Sequence, residues 1–185
     1  MLKPPLPVPA PAFLLLLCLF FTGFLGTPAQ AQLSKKEQKA QERKTTTSRY
    51  FIEGEKSLVL GELEKASFFF QKAQALSPAE PAISYKLAEV LLRAKKPQEA
   101  LPFAEKAVAI DPENLYYTLM VAEIYTDLKQ PLKAAALLDS LTRGSDKNQQ
   151  YNLDLASLYL NANAYDQALV VLDRAEAYYG VREAF

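Results

Sequence analysis

The chain contains no histidine and no tryptophan, and only one cysteine and six glycines among its 185 residues. Without histidine there is no imidazole base, so Ser–His and Cys–His nucleophilic pairs are excluded. The same scarcity leaves no ordinary zinc site, and none of the glycines has the spacing of a phosphate-binding loop. Carboxylates are plentiful, but Glu residues on a helix surface more often keep that surface solvated than act as a catalytic acid or base. We therefore expect no enzyme, no metal and no cofactor.

Charge is balanced overall, with 21 basic and 21 acidic residues, but it is unevenly placed. Residues 33–49 carry six Lys or Arg against two Glu. From residue 50 onward there are 14 Lys or Arg against 19 Asp or Glu, a net charge of −5. Nucleic-acid binding requires a basic face, so we expect no nucleic-acid partner.

The N-terminus is typical of a secretory signal peptide. Lys3 is the only early charge, residues 13–25 form an apolar run, and Ala29 and Ala31 form an Ala-x-Ala cleavage site. We predict a signal peptide at residues 1–31, and the run is too short for a comfortable membrane span. The alternative is an uncleaved anchor. The sole cysteine, Cys18, follows Leu17 rather than a small residue, which argues against lipid attachment, and its removal with the leader excludes disulfides.

Residues 32–47 (QLSKKEQKAQERKTTT) are polar and basic. We interpret them as a partly helical, mobile linker. An alternative is a membrane-surface role for the basic side chains, which are Lys35, Lys36, Lys39, Arg43 and Lys44. The stretch lacks the apolar face that such a helix needs, so the solvated linker is favoured.

The rest of the chain repeats with a period of 34 residues. Small or helix-ending residues recur in four columns: Gly54, Ala88, Ala122 and Ala156; Ala66, Ala100, Ala134 and Ala168; Ala73, Ala107, Leu141 and Ala175; Pro78, Pro112, Asp146 and Gly180. Small side chains let two helices approach closely, and proline ends a helix. The pattern predicts four helix pairs, at about 49–60 and 63–76, 81–93 and 97–110, 114–128 and 131–142, and 149–161 and 165–179, with a loop at 144–148.

From about residue 47 onward this sequence resembles the tetratricopeptide repeat family, whose signature is a 34-residue unit of two helices. Tyr50 fits the family's early aromatic position, and Tyr125 and Tyr159 fit later ones. Leu141 departs from the pattern by replacing a small residue, and Asp146 and Gly180 depart from it by replacing the closing proline. The resemblance implies an all-α, right-handed α-solenoid of antiparallel helix pairs. Its units would be residues 48–80, 81–114, 115–148 and 149–182, and 183–185 would begin a truncated fifth.

In proteins of this family the first helix of each pair lines a concave face, where ligands usually bind. Carrying the repeat phase over places nine residues toward that groove: Phe51, Glu55, Tyr85, Glu89, Tyr116, Leu119, Glu123, Asp127 and Leu153. Aromatic and apolar side chains beside carboxylates suit a peptide with apolar anchors and Lys or Arg. Glu55, Glu89 and Glu123 are 34 residues apart and form an acidic column, and a second, apolar or aromatic column has the same spacing: Phe51, Tyr85, Leu119 and Leu153. For any single residue, helix propensity or packing on a neighbour is the stronger explanation; for the two columns together, the groove is.

The resulting expectation is a non-enzymatic scaffold or adaptor in the periplasm of a Gram-negative bacterium that binds a peptide or protein. Secretion, or retention by an N-terminal anchor, is the weaker alternative for location. One rival function is the N-terminal part of a larger protein with a missing enzymatic or signalling region. Another is a self-assembling structural protein, which would cover an apolar edge predicted on the last helix at residues 169–172.

Overall fold

The computed structural model describes residues 28–180. The apolar run of the predicted leader and the predicted start of a fifth unit lie outside these residues. The helices are α1 (Pro28–Val59), α2 (Leu63–Leu76), α3 (Pro81–Arg93), α4 (Pro97–Ile110), α5 (Leu115–Asp127), α6 (Pro131–Gly144), a 3₁₀ turn at Asp146–Tyr151, α7 (Asn152–Asn161) and α8 (Tyr165–Tyr179). The described residues contain no strand, so the predicted all-α class is confirmed.

Contacts divide the chain into two units, residues 1–42 and residues 43–185. The described part of the first unit is helical, and its side chains from residue 34 onward are all exposed. In the second unit, successive helices pack as antiparallel pairs, and each second helix packs on the first helix of the following pair. This arrangement is the predicted right-handed α-solenoid.

Helix α1 begins at Pro28, well before the predicted start at residue 49. The stretch interpreted as a partly helical linker, residues 32–47, is helical throughout. Lys, Glu, Gln, Ala and Arg dominate it, and it contains neither glycine nor proline, so helix propensity is favourable over most of its length, up to the three threonines at 45–47. The polarity that indicated a linker reflects the absence of a buried face, which does not by itself prevent a helix.

The small residues of the repeat are buried where helices cross. Ala66, Ala100 and Ala134 are fully enclosed, and Ala168 is nearly so. Three hydrophobic clusters follow one another along the solenoid. The first contains Phe70 and Ile83, the second Ala104 and Ile124, and the third Leu138 and Leu155. Each cluster is shared between two consecutive repeats, so the core is a row of interfaces rather than one centre.

Each first helix ends in the same turn. The backbone is left-handed at Gly61, Lys95, Lys129 and Asn163, which are 34 residues apart. The next residue donates its N–H to the carbonyl five positions earlier, as in Gln130 N to Tyr125 O at 2.8 Å. This bond pattern is the Schellman motif. Three of the four positions are not glycine, which is why the turn is not evident from composition.

Two local features add detail to the sequence prediction: the segment between α6 and α7, and the consecutive phenylalanines of α2. Gly144 closes α6, and the predicted loop at 144–148 is largely a 3₁₀ turn that delays α7 to Asn152. Among the consecutive phenylalanines, Phe70 is fully buried, whereas Phe68 is exposed. This split follows from the helical rotation between neighbouring positions.

Candidate functional site: the concave face of the repeats

The nine residues predicted for the groove all lie on first helices of the pairs. Tyr116 on α5 and Leu153 on α7 are the exposed apolar members, with 67% and 50% of their surface accessible. Glu123 and Asp127 are exposed as well. The other members are partly buried: Phe51, Glu55, Tyr85, Glu89 and Leu119. We call the surface formed by these helices the concave face.

In the first half of this face, a lysine that the sequence reasoning missed neutralises the acidic column. Lys86 Nζ lies 3.2 Å from Glu55 Oε1 and 2.9 Å from Glu89 Oε2. Arg93 adds a second contact, 2.8 Å from Glu89 Oε1. Burial alone would lower the pKa of Lys86, but the hydrogen bonds and charges of Glu89 and Glu55 outweigh it and raise that pKa. Two of the three predicted column carboxylates are therefore already paired within the chain.

The aromatic side chains in this half pack on their own neighbours. The Phe51 ring lies edge-on to Phe70, with centroids 5.5 Å apart. The Tyr85 ring is 5.3 Å from that of Tyr117. Burial, followed by the charge of Glu89, raises the pKa of the Tyr85 hydroxyl. For Phe51 and Tyr85, packing against the solenoid accounts for the side chain without a ligand.

The second half of the concave face is electrostatically different. Among the residues that the structure describes, no Lys or Arg forms an ion pair with Glu123 or Asp127. Partial burial raises the pKa of the Glu123 carboxyl, and the charges of Asp127 and Glu89 raise it further. Lys95 opposes this only through its charge. These two carboxylates are therefore not balanced by an ion pair within the described chain.

A cleft of about 320 Å³ opens between α5 and α7 in this half, and we call it the α5–α7 cleft. Its lining residues are Leu119, Ala122, Glu123, Thr126, Leu138, Asp154, Ser157 and Leu158. The repeat phase identified only Leu119 and Glu123. The others were missed because a column of equivalent positions cannot show which residues from three different helices meet at one opening.

Metal and membrane features were also sought in the described part of the chain. Nowhere in residues 28–180 do three His, Cys, Asp or Glu side chains gather as metal ligands would. No described helix combines the length and apolar character needed to cross a membrane.

The period, the paired helices and the stacked cores identify a helical repeat protein. The tetratricopeptide repeat model matches residues 60–124 and again residues 91–152, which together span half of the chain. The protein belongs to the tetratricopeptide repeat family. Members of this family typically act as non-enzymatic scaffolds that bind proteins or peptides.

Solved structures show the same fold at low sequence identity. MamA from Desulfovibrio magneticus RS-1 is 21% identical, with a TM-score of 0.65, and the match covers 86% of this chain and 89% of that one. YrrB, described as a TPR protein with an unusual peptide-binding site, is 16% identical, with a TM-score of 0.63 and 82% of both chains covered. A repeat protein from Parabacteroides merdae is 20% identical, with a TM-score of 0.67, and the match covers 75% of this chain and 56% of that one.

Comparison with curated proteins gives no significant sequence match. At these identities the likenesses to solved structures establish the fold, and the site must be argued from this chain's own residues.

Proposed function

We propose that the chain is a non-enzymatic scaffold or adaptor of the cell envelope that binds a peptide or protein segment on its concave face. The observation that carries the proposal is the pair of exposed apolar side chains, Tyr116 and Leu153, on neighbouring first helices. The same surface carries Glu123 and Asp127 on α5, which form no ion pair among the described side chains. Exposed aromatic and aliphatic anchors flanked by charge are what a peptide-binding surface offers.

The chemistry of this surface favours a partner that is both apolar and basic. Tyr116 and Leu153 offer anchoring area, and Glu123 and Asp127 offer negative charge. Nucleic acid does not fit, because residues 50–185 carry the net negative charge noted above and a phosphate backbone would be repelled.

The proposed location rests on the leader. Residues 1–31 combine an apolar run with an Ala-x-Ala end, which supports export to the periplasm of a Gram-negative bacterium. Expression of the whole chain in such a host, with fractionation and mass measurement of the N-terminus, tests this. We expect a periplasmic species beginning at Gln32. A membrane-bound species that retains residues 1–31 would support the anchor instead.

Site-directed photo-crosslinking in the same host tests the binding surface. A photoreactive phenylalanine analogue replaces Tyr116 or Leu153 on the concave face, or Leu132 on α6 as an exposed control on a second helix. We expect discrete adducts from Tyr116 and Leu153 and none of the same mass from Leu132. Identical adducts at all three positions, or none at Tyr116 and Leu153, would argue against a concave binding face.

A self-assembling scaffold is a second candidate, favoured by the surface of α8. Leu169 and Val170 are 60% and 56% exposed, and Tyr178 and Tyr179 are exposed nearby. The predicted apolar edge at residues 169–172 is wrong at one position, because Val171 is buried in the third cluster. Light scattering on residues 32–185 distinguishes the candidates: a discrete dimer favours self-assembly, and a monomer favours a separate partner.

A further inference from the structure

We propose that the α5–α7 cleft is a socket for one Lys or Arg side chain of the bound segment. The inference rests on the proposed function, since it assigns ligand chemistry to one part of the concave face. It places ligand selection in the third and fourth repeats rather than evenly along the acidic column that the sequence shows.

The floor of the cleft is apolar. It is formed by Leu119 and Ala122 from α5, Leu138 from α6 and Leu158 from α7. Lys and Arg carry long aliphatic stems that cover apolar surface while the charged head stays near water. A floor below a polar rim is the shape that such a side chain fills, and a short charged side chain would leave the floor exposed.

The rim of the cleft presents hydrogen-bond acceptors. Glu123 and Asp154 contribute carboxylates from the two facing helices. Thr126 and Ser157 contribute hydroxyl groups whose hydrogens are already used: Thr126 Oγ1 donates to Ala122 O at 2.9 Å, and Ser157 Oγ donates to Leu153 O at 3.0 Å. Toward a ligand, both hydroxyl oxygens can therefore act only as hydrogen-bond acceptors.

This acceptor-rich rim selects for a group that only donates. A lysine ammonium has three donors and no acceptor, and an arginine guanidinium has five donors and no acceptor. A ligand carboxylate or phosphate would meet two carboxylates and no side-chain donor on this rim. An uncharged amide would satisfy the rim only with its N–H groups and would gain no ion pair.

Charge distinguishes this half of the face from the first half. Around Lys86, two carboxylates are matched by Lys86 and Arg93, so an incoming cation gains little there. Around the cleft, Glu123 and Asp154 have no ion pair among the described side chains. A cationic side chain therefore gains most at α5–α7.

Peptide titrations test the socket directly. The probes are blocked heptapeptides Ala-Leu-Ala-X-Ala-Leu-Ala, in which X is lysine, arginine, norleucine or glutamate. Norleucine keeps the aliphatic stem and removes the charge. Binding is followed by amide chemical shifts of the isotope-labelled, leader-processed protein. We expect the lysine and arginine peptides to bind about tenfold more tightly than the norleucine peptide, as for one charge-assisted hydrogen bond of modest strength. The glutamate peptide should bind most weakly.

Matched variants locate the effect. Glu123→Gln and Asp154→Asn keep side-chain size and should each weaken the lysine peptide severalfold without changing the norleucine peptide. Glu64→Gln on α2, an exposed carboxylate in no ion pair, should change neither. Circular dichroism and thermal melts of each variant confirm that it is folded before its affinity is interpreted.

The outcomes separate this inference from the proposed function. If all peptides bind equally and shift the amides of Tyr116 and Leu153, the concave face binds peptides and the socket is wrong. If Glu55→Gln rather than Glu123→Gln removes the preference for lysine, the cation binds in the first half and the socket is again wrong. If no peptide shifts any amide of the concave face, both ideas fail.

Discussion

At the scale of single residues, Gly54 shows how closely α1 and α2 approach. A Cβ atom at this position would lie 2.7–2.9 Å from ring atoms of Phe70. Phe70 is fully buried, so its ring has no room to withdraw. The equivalent positions in later repeats hold alanine, so the glycine is required by this interface and not by the repeat in general.

Gly54→Ala should therefore destabilise the protein even though alanine is the better helix former. Overpacking costs about 1–3 kcal/mol, and helix propensity offsets about 1 kcal/mol of it, so we expect the free energy of unfolding to fall by up to about 2 kcal/mol. Gly144→Ala is the control, because nothing lies within 4 Å of its added Cβ. Urea denaturation measures both. Equal stability of the Gly54 variant and the native chain would show that Phe70 can move.

The carboxyl of Glu123 gives a prediction with a defined sign. Its pKa in the folded chain lies above the ordinary value of 4.5, because burial and then Asp127 and Glu89 disfavour its charge. The folded state thus binds this proton more tightly, and stability is lost as pH rises from about 4.5 through the raised value. Glu123→Gln should be more stable than the native chain at neutral pH, and the advantage should vanish below pH 4.5. Urea unfolding at both pH values, with Glu64→Gln as control, tests this; an advantage independent of pH would contradict it.

Residues that occupy the same position in every repeat were predictable from the sequence, and residues whose contacts occur in only one repeat were not. The period placed Ala100 and Ala134 at helix crossings because every repeat needs a small side chain there. Lys86 was missed because its partner Glu55 lies on another helix, and the other repeats have no basic residue at its position. Thr126 and Ser157 were not predicted, since their roles depend on a cleft formed by three helices.

At the scale of elements, the left-handed turn after each first helix recurs in all four repeats, although the residue types at this position do not reveal it. Gly61 adopts it without steric cost, whereas Lys95 and Lys129 hold φ near 60° with a Cβ atom present. A non-glycine residue in this conformation costs about 1 kcal/mol or more. The Schellman bonds of the turn, and the packing of the following helix, hold these lysines in place.

Lys129→Gly should consequently stabilise the protein by about 0.5–1 kcal/mol, since relief of strain exceeds the added freedom of the unfolded chain. Lys65→Gly within α2 is the matched control and should cost about 1 kcal/mol. Thermal and urea unfolding of both variants provide the comparison. If both variants lose stability equally, the turn carries no strain worth relieving.

Helix α4 contains a proline in its interior, Pro102, in addition to Pro97 at its start. The interior proline has no N–H for the carbonyl of residue 98, and its ring crowds the preceding turn. Pro102 is exposed, so no packing compensates for it. We expect Pro102→Ala to raise the free energy of unfolding by about 1–3 kcal/mol. Pro97→Ala should have little effect, because the first helical position tolerates proline; a similar gain from both would contradict this explanation.

The predicted helix boundaries agree closely with the observed ones where a proline marks the start of the helix. The ranges 81–93 and 97–110 agree with α3 and α4 because Pro81 and Pro97 fix where each helix starts. Helix α1 was predicted too short, because Thr47 and Ser48 are residue types that favour a helix start, yet the helix continues through both of them. The 3₁₀ turn before α7 has no proline or glycine to mark its end, and the predicted start of α7 was three residues early.

At the scale of the whole molecule, the repeat unit gains stability from interfaces between neighbouring repeats. Each of the three clusters joins one repeat to the next, and no cluster includes residues of both the first and the fourth repeat. In such an array, a local defect should loosen its own region first.

Leu155→Ala tests this, because Leu155 is fully buried in the third cluster. The substitution should cost about 2–5 kcal/mol in that interface. Hydrogen exchange should show faster opening of residues 131–180, with little change in residues 63–93. Phe70→Leu in the first cluster is the reciprocal variant and should loosen α2 and α3 instead. Uniform acceleration in both variants would mean that the solenoid opens as a single cooperative unit.

The position of one lysine has an evolutionary consequence for partner choice. Lys86 holds two carboxylates from different repeats, and a single nucleotide change can replace it by an uncharged residue such as Asn or Thr. Glu89 would then keep only Arg93, Glu55 would have no ion pair among the described side chains, and the acidic surface would extend toward the N-terminal repeats. A lineage of this protein could thus shift where a basic ligand docks by two repeats in one mutational step, without altering any helix crossing of the solenoid.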